Sequence, residues 1–264
     1  MLPQDILGSS LNSQTFKDFL SLLPSANIDP QGERDPQKEE EETVGKGPRG
    51  DRTLTLTDLE RREYKDVVYL NLRPLGISFQ FQRSLHSDEG HDHQDDDDQL
   101  FLMAVDIYNH EQQPHLSSSS SSSSPPHKAR TRRKPAWGAY PSYPVTIHFA
   151  SQPGSTTTTT AHFNLQPGTT GQELVDVLGE PCRKGGGQDL PGGLGPNAWI
   201  EWKLNLPSPP KVHTEPSPSS SSSSSSSFKV FVELAGSLAR GPGRWELDRS
   251  GSAIWKVLTL SLPE

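Results

Sequence analysis

TGQELVDVLGEP, residues Thr170–Pro181, is the stretch from which the fold can be read. Thr170 stands where an N-cap oxygen accepts from the first helical turn, and Glu173, three residues on, completes a capping box. Leu174, Val177 and Leu178 recur at helical spacing and are expected to form the buried stripe. Gly179 supplies a left-handed C-terminal position, and Pro181 prevents continuation. A glycine-rich turn follows, and then three strand-like segments, Trp199–Leu206, Phe228–Leu234 and Ile254–Leu262.

The same order occurs upstream. Ser13 can cap a helix whose Phe16, Phe19, Leu20 and Leu23 share a face before Pro24 stops it. Val67–Leu72 and Gly76–Phe81 alternate partly and are joined by Arg73-Pro74-Leu75, a hairpin-length connection, and Leu100–Tyr108 is a third strand. Helix, strand, strand, strand is therefore written twice, although side-chain identity between the copies is poor. No internal strand connection carries a crossover helix, which favours antiparallel pairing. The expected fold class is α+β: a curved antiparallel sheet with helices packed on one face, as two helix-strand-strand-strand repeats. One mixed sheet without duplication is the alternative. Between the copies lie Trp137, Tyr140, Tyr143, a strand at Val145–Phe149 and a short strand around His162–Leu165. Thr57 and Glu60 have capping-box spacing, so Thr57–Arg62 is expected to form one helical turn.

Composition limits how much of the 264 residues can build a core: 30 % are hydrophobic, with 22 Gly and 24 Pro. Residues 1–24 read as a short helix belonging to the first repeat and 25–56 as a polar linker. Residues 57–264 read as one α+β domain with disordered insertions near 84–99, 111–135 and 207–227, two of which contain serine runs. No apolar run is long enough to cross a bilayer, and MLPQDILGSS lacks the marks of a secretory signal. The single cysteine, Cys182, cannot form an intramolecular disulfide, so a cytoplasmic or nuclear location is expected. A net charge of -8 argues against a general polyanion binder, and specific nucleic-acid reading is not expected. The basic cluster Lys128–Lys134 (KARTRRK) reads as an import signal or a solubilising segment.

YKDVVYLNLRPLGISFQF (64–81), LFLMAVDIYN (100–109), TTGQELVDVLGEPCRKGGG (169–187), AWIEW (198–202) and ELAGSLARGPGRWELDRSGSAIWKVLTLSL (233–262) resemble segments of a largely uncharacterised group of fungal proteins. That resemblance spans roughly Tyr64–Leu262 apart from the serine-rich inserts and implies no activity. The helix ending in LGEP, followed by glycines and strands, is similar to the repeat of beta-lactamase inhibitor proteins and small bacterial outer-membrane assembly lipoproteins. This second resemblance covers little more than an element pattern. A lipobox cysteine and an export signal are lacking, so the lipoprotein role is not carried over. Neither resemblance brings catalytic residues.

Two candidate sites follow. Arg183, Lys184, Gly185, Gly186 and Gly187 combine two cations with glycine amides that can cradle a phosphate. They follow a helix rather than open one, however, so a structural turn accounts for the same residues. Trp199 and Trp202 lie three apart on one strand and must face opposite sides. One is core; the other packs under a loop or anchors a partner. Trp202 with Arg240, Arg244 and Trp245 is the expected protein-binding surface, and packing of loops over the sheet is the competing reading.

Other groups point less far. His86, His91 and His93 lie among Asp and Glu, in a segment without hydrophobic anchors to fix a metal geometry. Cys182 beside Arg183 would need a histidine base, of which His148 and His162 are available. Glu233 and Glu246 are ordinary loop-separated acids. No catalytic residue, metal or cofactor is assigned. The expected function is a non-catalytic protein-interaction or scaffold module with an unknown protein partner; the alternative is a small-molecule or phosphate-binding protein, or an enzyme, using the Arg183–Gly187 loop.

Overall fold

The computed structural model describes residues 1–23, 59–83, 99–109, 137–150, 160–186, 197–206, 227–246 and 248–263. The expected linker at 25–56 lies outside the described residues, as do the expected insertions except for Gln99 and Ser227.

Strands β1 (Glu60–Glu63), β2 (Val67–Leu72), β3 (Ile77–Arg83) and β4 (Leu100–Tyr108) precede a separate hairpin of β5 (Val145–Ala150) and β6 (Thr160–Leu165). After it come β7 (Arg183–Gly185), β8 (Trp199–Asn205), β9 (Ser227–Leu234) and β10 (Trp255–Ser261). All but the hairpin form one 8-stranded sheet in the order β1-β2-β3-β4-β10-β9-β8-β7, and every neighbouring pair is antiparallel.

That order is a palindrome. β4 meets β10 at the centre, and the short strands β1 and β7 close the two edges. Helix α1 (Gln14–Leu22) belongs with β1–β4, and α2 (Gly171–Leu178) with β7–β10. The chain just ahead of each helix makes the same contact in its own half: Ser10 bridges Phe101 of β4, and Thr170 bridges Ile254 at the entry to β10. Both halves therefore show the expected order, with one additional strand each. In the first half that strand is β1, where a helical turn was expected. Glu60-Arg61-Arg62-Glu63 has no apolar stripe to hold a helix against the core, whereas in extended form it pairs with β2.

Alternation along the strands gives the sheet one apolar face. Phe16 of α1 packs edge-on against Phe79 and Phe81 of β3, with ring centroids 5.0 and 5.2 Å apart. α2 buries Leu174 and Leu178, and the hairpin adds Ile147, Phe149, Phe163 and Leu165 to the same core. The other face carries Tyr69, Asp106, Tyr108, Phe231 and Trp199, none of them fully buried. No described helix covers it. Among the described residues, no helix is long and apolar enough to cross a membrane.

The segment Trp137–Tyr140 passes the end of β4, from the open face toward the core. Trp137 stacks on Tyr108 at 4.0 Å, and Tyr140 is buried. The crossing needs two glycines. A Cβ on Gly138 would lie 2.1 Å from the Pro74 carbonyl oxygen, and one on Gly76, which has φ +57°, would lie 2.2 Å from the Gly138 carbonyl oxygen.

Candidate functional site

The site grows out of the strand WIEWKLN. Its alternation sends Ile200, Trp202 and Leu204 into the core and Trp199, Glu201 and Lys203 to the open face. The expectation that Trp202 anchors a partner is therefore corrected. Trp202 is 2 % exposed, and its Nε1 donates to the Gly179 carbonyl at 2.8 Å, beneath the end of α2. The outward member of the pair is Trp199. It stacks on Phe231 of β9 at 5.2 Å, and the Arg183 guanidinium lies 5.8 Å from the centre of its ring. The same guanidinium is 3.6 Å from the Glu201 carboxylate.

Register carries this corner across the sheet. Trp199 pairs with Glu233, Glu233 with Val257, and Val257 with Tyr108, so one outward row spans four strands, roughly 14 Å. The row ends in the Tyr108–Trp137 stack, with the Arg73 guanidinium 4.9 Å from the Trp137 ring centre. At its middle, Glu233 accepts from Asn197 Nδ2 and from Lys256 Nζ, the latter at 2.8 Å. Arg240 Nε donates to Asn197 Oδ1 at 2.6 Å, so the loop after β9 is tied to the row. Burial pushes the Tyr108 phenol far above its ordinary pKa, and the nearby Asp106 and Glu233 carboxylates add to the shift. Tyr108 is therefore a neutral aromatic at ordinary pH. Asp106 itself is raised by desolvation, partly offset by the hydrogen bond from Thr259 Oγ1 at 2.6 Å.

The second set of expected residues is placed differently. Arg183–Gly185 is not a loop but the edge strand β7, paired residue by residue with Glu201, Ile200 and Trp199. An extended strand does not gather its amides around an anion, so the expected phosphate cradle is not formed there. The glycines serve close approach instead. A Cβ on Gly185 would meet the Trp199 ring at 2.6 Å, and Gly186, at φ +73°, lies against the Asn197 carbonyl. Gly187 lies outside the described residues.

Arg244 Nε donates to the Gly186 carbonyl at 2.7 Å, which brings the two expected surfaces into one neighbourhood. On the α2 side of β7, the Lys184 ammonium lies 5.7 Å from the centre of the Trp245 ring. Lys184 and Trp245, with Val175, Glu180, Pro181 and Ile200, line a cleft of about 180 Å³.

Cys182 is exposed, and its thiol donates to the Glu201 carbonyl at 3.2 Å. His148 and His162 face one another on the hairpin. His86, His91, His93 and the cluster Lys128–Lys134 lie outside the described residues. Among the described residues, no three His, Cys, Asp or Glu side chains group as metal ligands. The row from Trp199 to Tyr108 was missed from sequence because its members come from four separate strands. Each has the outward phase of an alternating strand, but only the register places them side by side. Comparisons of the chain with family models, curated proteins and solved structures found no match.

Proposed function

We propose that this chain is a non-catalytic protein-interaction module that docks a protein partner on the open face of its sheet. The observation that carries this reading is the outward row Trp199–Glu233–Val257–Tyr108, flanked by Phe231, Trp137 and Arg183. Tryptophan, tyrosine and arginine dominate binding energy at protein interfaces. The two sheet edges support the same reading. β1 is Glu-Arg-Arg-Glu and β7 is Arg-Lys-Gly, short and charged, and such edges resist addition of a partner strand. The face is then the broader surface left for recognition. A cytoplasmic or nuclear location belongs to this proposal, supported by the lone cysteine and the Lys128–Lys134 cluster.

Affinity capture of the tagged full-length protein from its native cells tests it. A partner retained by wild type and by Lys184→Ala, and lost from Trp199→Ala and Phe231→Ala, is the expected result. A partner set indifferent to both aromatic substitutions would overturn the assignment of this face. Small-molecule binding, with or without catalysis, is the second reading, favoured by the cleft beside Lys184 and Trp245. A thermal-shift screen of metabolites and nucleotides, repeated with Lys184→Ala, reads that alternative directly.

A further inference from the structure

The β5–β6 hairpin has two chemically distinct faces. Val145, Ile147, Phe149, Phe163 and Leu165 point into the core and fix the backbone of both strands. The outward face carries Thr146 opposite Asn164 and, next along the ladder, His148 opposite His162. Thr146 Oγ1 donates to Asn164 Oδ1 at 2.8 Å, and Gln4 Nε2 donates to the His148 carbonyl at 3.2 Å, tying β5 to the N-terminal segment. The two imidazole centroids are 6.1 Å apart, with their planes inclined by 57°.

Neutral imidazole nitrogen binds a borderline divalent ion at roughly 2.0–2.1 Å. With about 1.1 Å from that nitrogen to the ring centre, two imidazoles sharing one ion have centres roughly 5–6 Å apart. His148 and His162 stand close to that separation on a backbone held from below. Each ring has rotation about two side-chain bonds with which to turn a nitrogen toward the other. His162 is exposed and His148 half-buried, and two protonated rings placed opposite one another would repel across the ladder.

We infer that His148 and His162 form a two-imidazole site for a divalent transition-metal ion of the zinc, nickel or copper class, with solvent completing the coordination. Each ring binds the ion through the lone pair of a neutral imidazole nitrogen. The ion clamps β5 to β6 and thereby stabilises the hairpin.

Zinc titration of the full-length protein against a chromophoric zinc indicator at neutral pH tests the site. Either His148→Asn or His162→Asn is expected to weaken binding by about tenfold or more. A His91→Asn/His93→Asn variant keeps the hairpin site and controls for the histidines elsewhere in the chain. Zinc binding unchanged in both hairpin variants, or no binding by wild type, would overturn the inference. If a hairpin variant fails to fold, the imidazole Cε1–H resonances of wild type decide. Zinc shifts both rings if they share the ion, and resonances that stay in place exclude it.

Discussion

The indole N–H of Trp202 donates to the carbonyl oxygen of Gly179 at 2.8 Å, joining the middle of β8 to the end of α2. Gly179 is the C-cap residue, and carbonyls at a helix end have no partner within the helix. Trp255 does the same at the other end, where its Nε1 donates to the Gln166 carbonyl at 2.7 Å, just ahead of the Thr170 cap. Two buried tryptophans from β8 and β10 thus hold an 8-residue helix at both termini. A helix this short is marginal alone, so these anchors and its buried stripe account for its stability.

Removing the Trp202 donor should be measurable. Trp202→Phe retains most of the apolar area and leaves the Gly179 carbonyl without its partner, at a cost of about 1–3 kcal/mol. Trp202→Ala also opens a cavity and should cost about 3–5 kcal/mol. Urea unfolding followed by circular dichroism ranks the two. A wild-type midpoint for Trp202→Phe would show that the hydrogen bond contributes nothing.

The crossing of Gly76 and Gly138 should tolerate no side chain. Gly138→Ala places a methyl group 2.1 Å from backbone oxygen, and Gly76→Ala adds the strain of a positive φ. Each should destabilise by more than about 1 kcal/mol and disturb the Tyr108–Trp137 stack, shifting tryptophan fluorescence. Gly168, whose Cβ would meet nothing within 4 Å, serves as the control. Gly168→Ala should unfold at or slightly above the wild-type midpoint.

Asp106 should make stability fall with rising pH. Its pKa is raised by burial, so the folded chain holds the proton to higher pH than the unfolded chain. The associated stability is complete below about 3.9 and is lost as pH climbs through the folded-state value. Asp106→Asn removes that slope and should be more stable than wild type above this window. Denaturation midpoints over a pH series check it; parallel curves for the two proteins would show that the carboxyl is not desolvated.

The α2 cap should act locally. Thr170 Oγ1 accepts from the Glu173 amide at 3.3 Å, and Glu173 Oε2 accepts from the Thr170 amide at 2.8 Å. Thr170→Ala should cost about 0.5–2 kcal/mol, and Glu173→Gln less, because an acceptor remains. Amide exchange in the first turn of α2 reports the loss. Protection unchanged in Thr170→Ala would place the control of the helix start elsewhere, in its pairing with Ala253 and Gly251.

The cap and stop of helix α2 were legible because they lie within twelve consecutive positions, but of its expected stripe Leu174 and Leu178 are buried while Val177 is exposed and Val175 packs against the core instead. Ser13 marked α1 in the same way, and the alternation of FKVFVEL was enough for β9. The expected helical turn at Thr57–Arg62 failed for a matching reason. A capping-box spacing describes only a local preference, and the unpaired edge of β2 offered Glu60–Glu63 hydrogen bonds that the turn could not match. Arg183–Gly185 went the same way, since glycines suited to a turn are equally suited to passing beneath the Trp199 ring.

Periods of 3.6 and 2 along the chain were enough for both helices, the longer strands, their order and the opposition of Trp199 to Trp202, but not for the edge strands β1 and β7. The same alternation marks Trp202 as the inward tryptophan, since it shares a face with Ile200 and Leu204 while Trp199 shares one with Glu201 and Lys203; the expected partner anchor at Trp202 ran against that phase. Tertiary structure decided what the buried indole meets, by seating α2 with its open Gly179 carbonyl on the Trp202 side. It likewise decided that residues as distant as Tyr108 and Trp199 share one outward row. Register between strands is set by long-range burial and hydrogen bonding, and no local pattern records it.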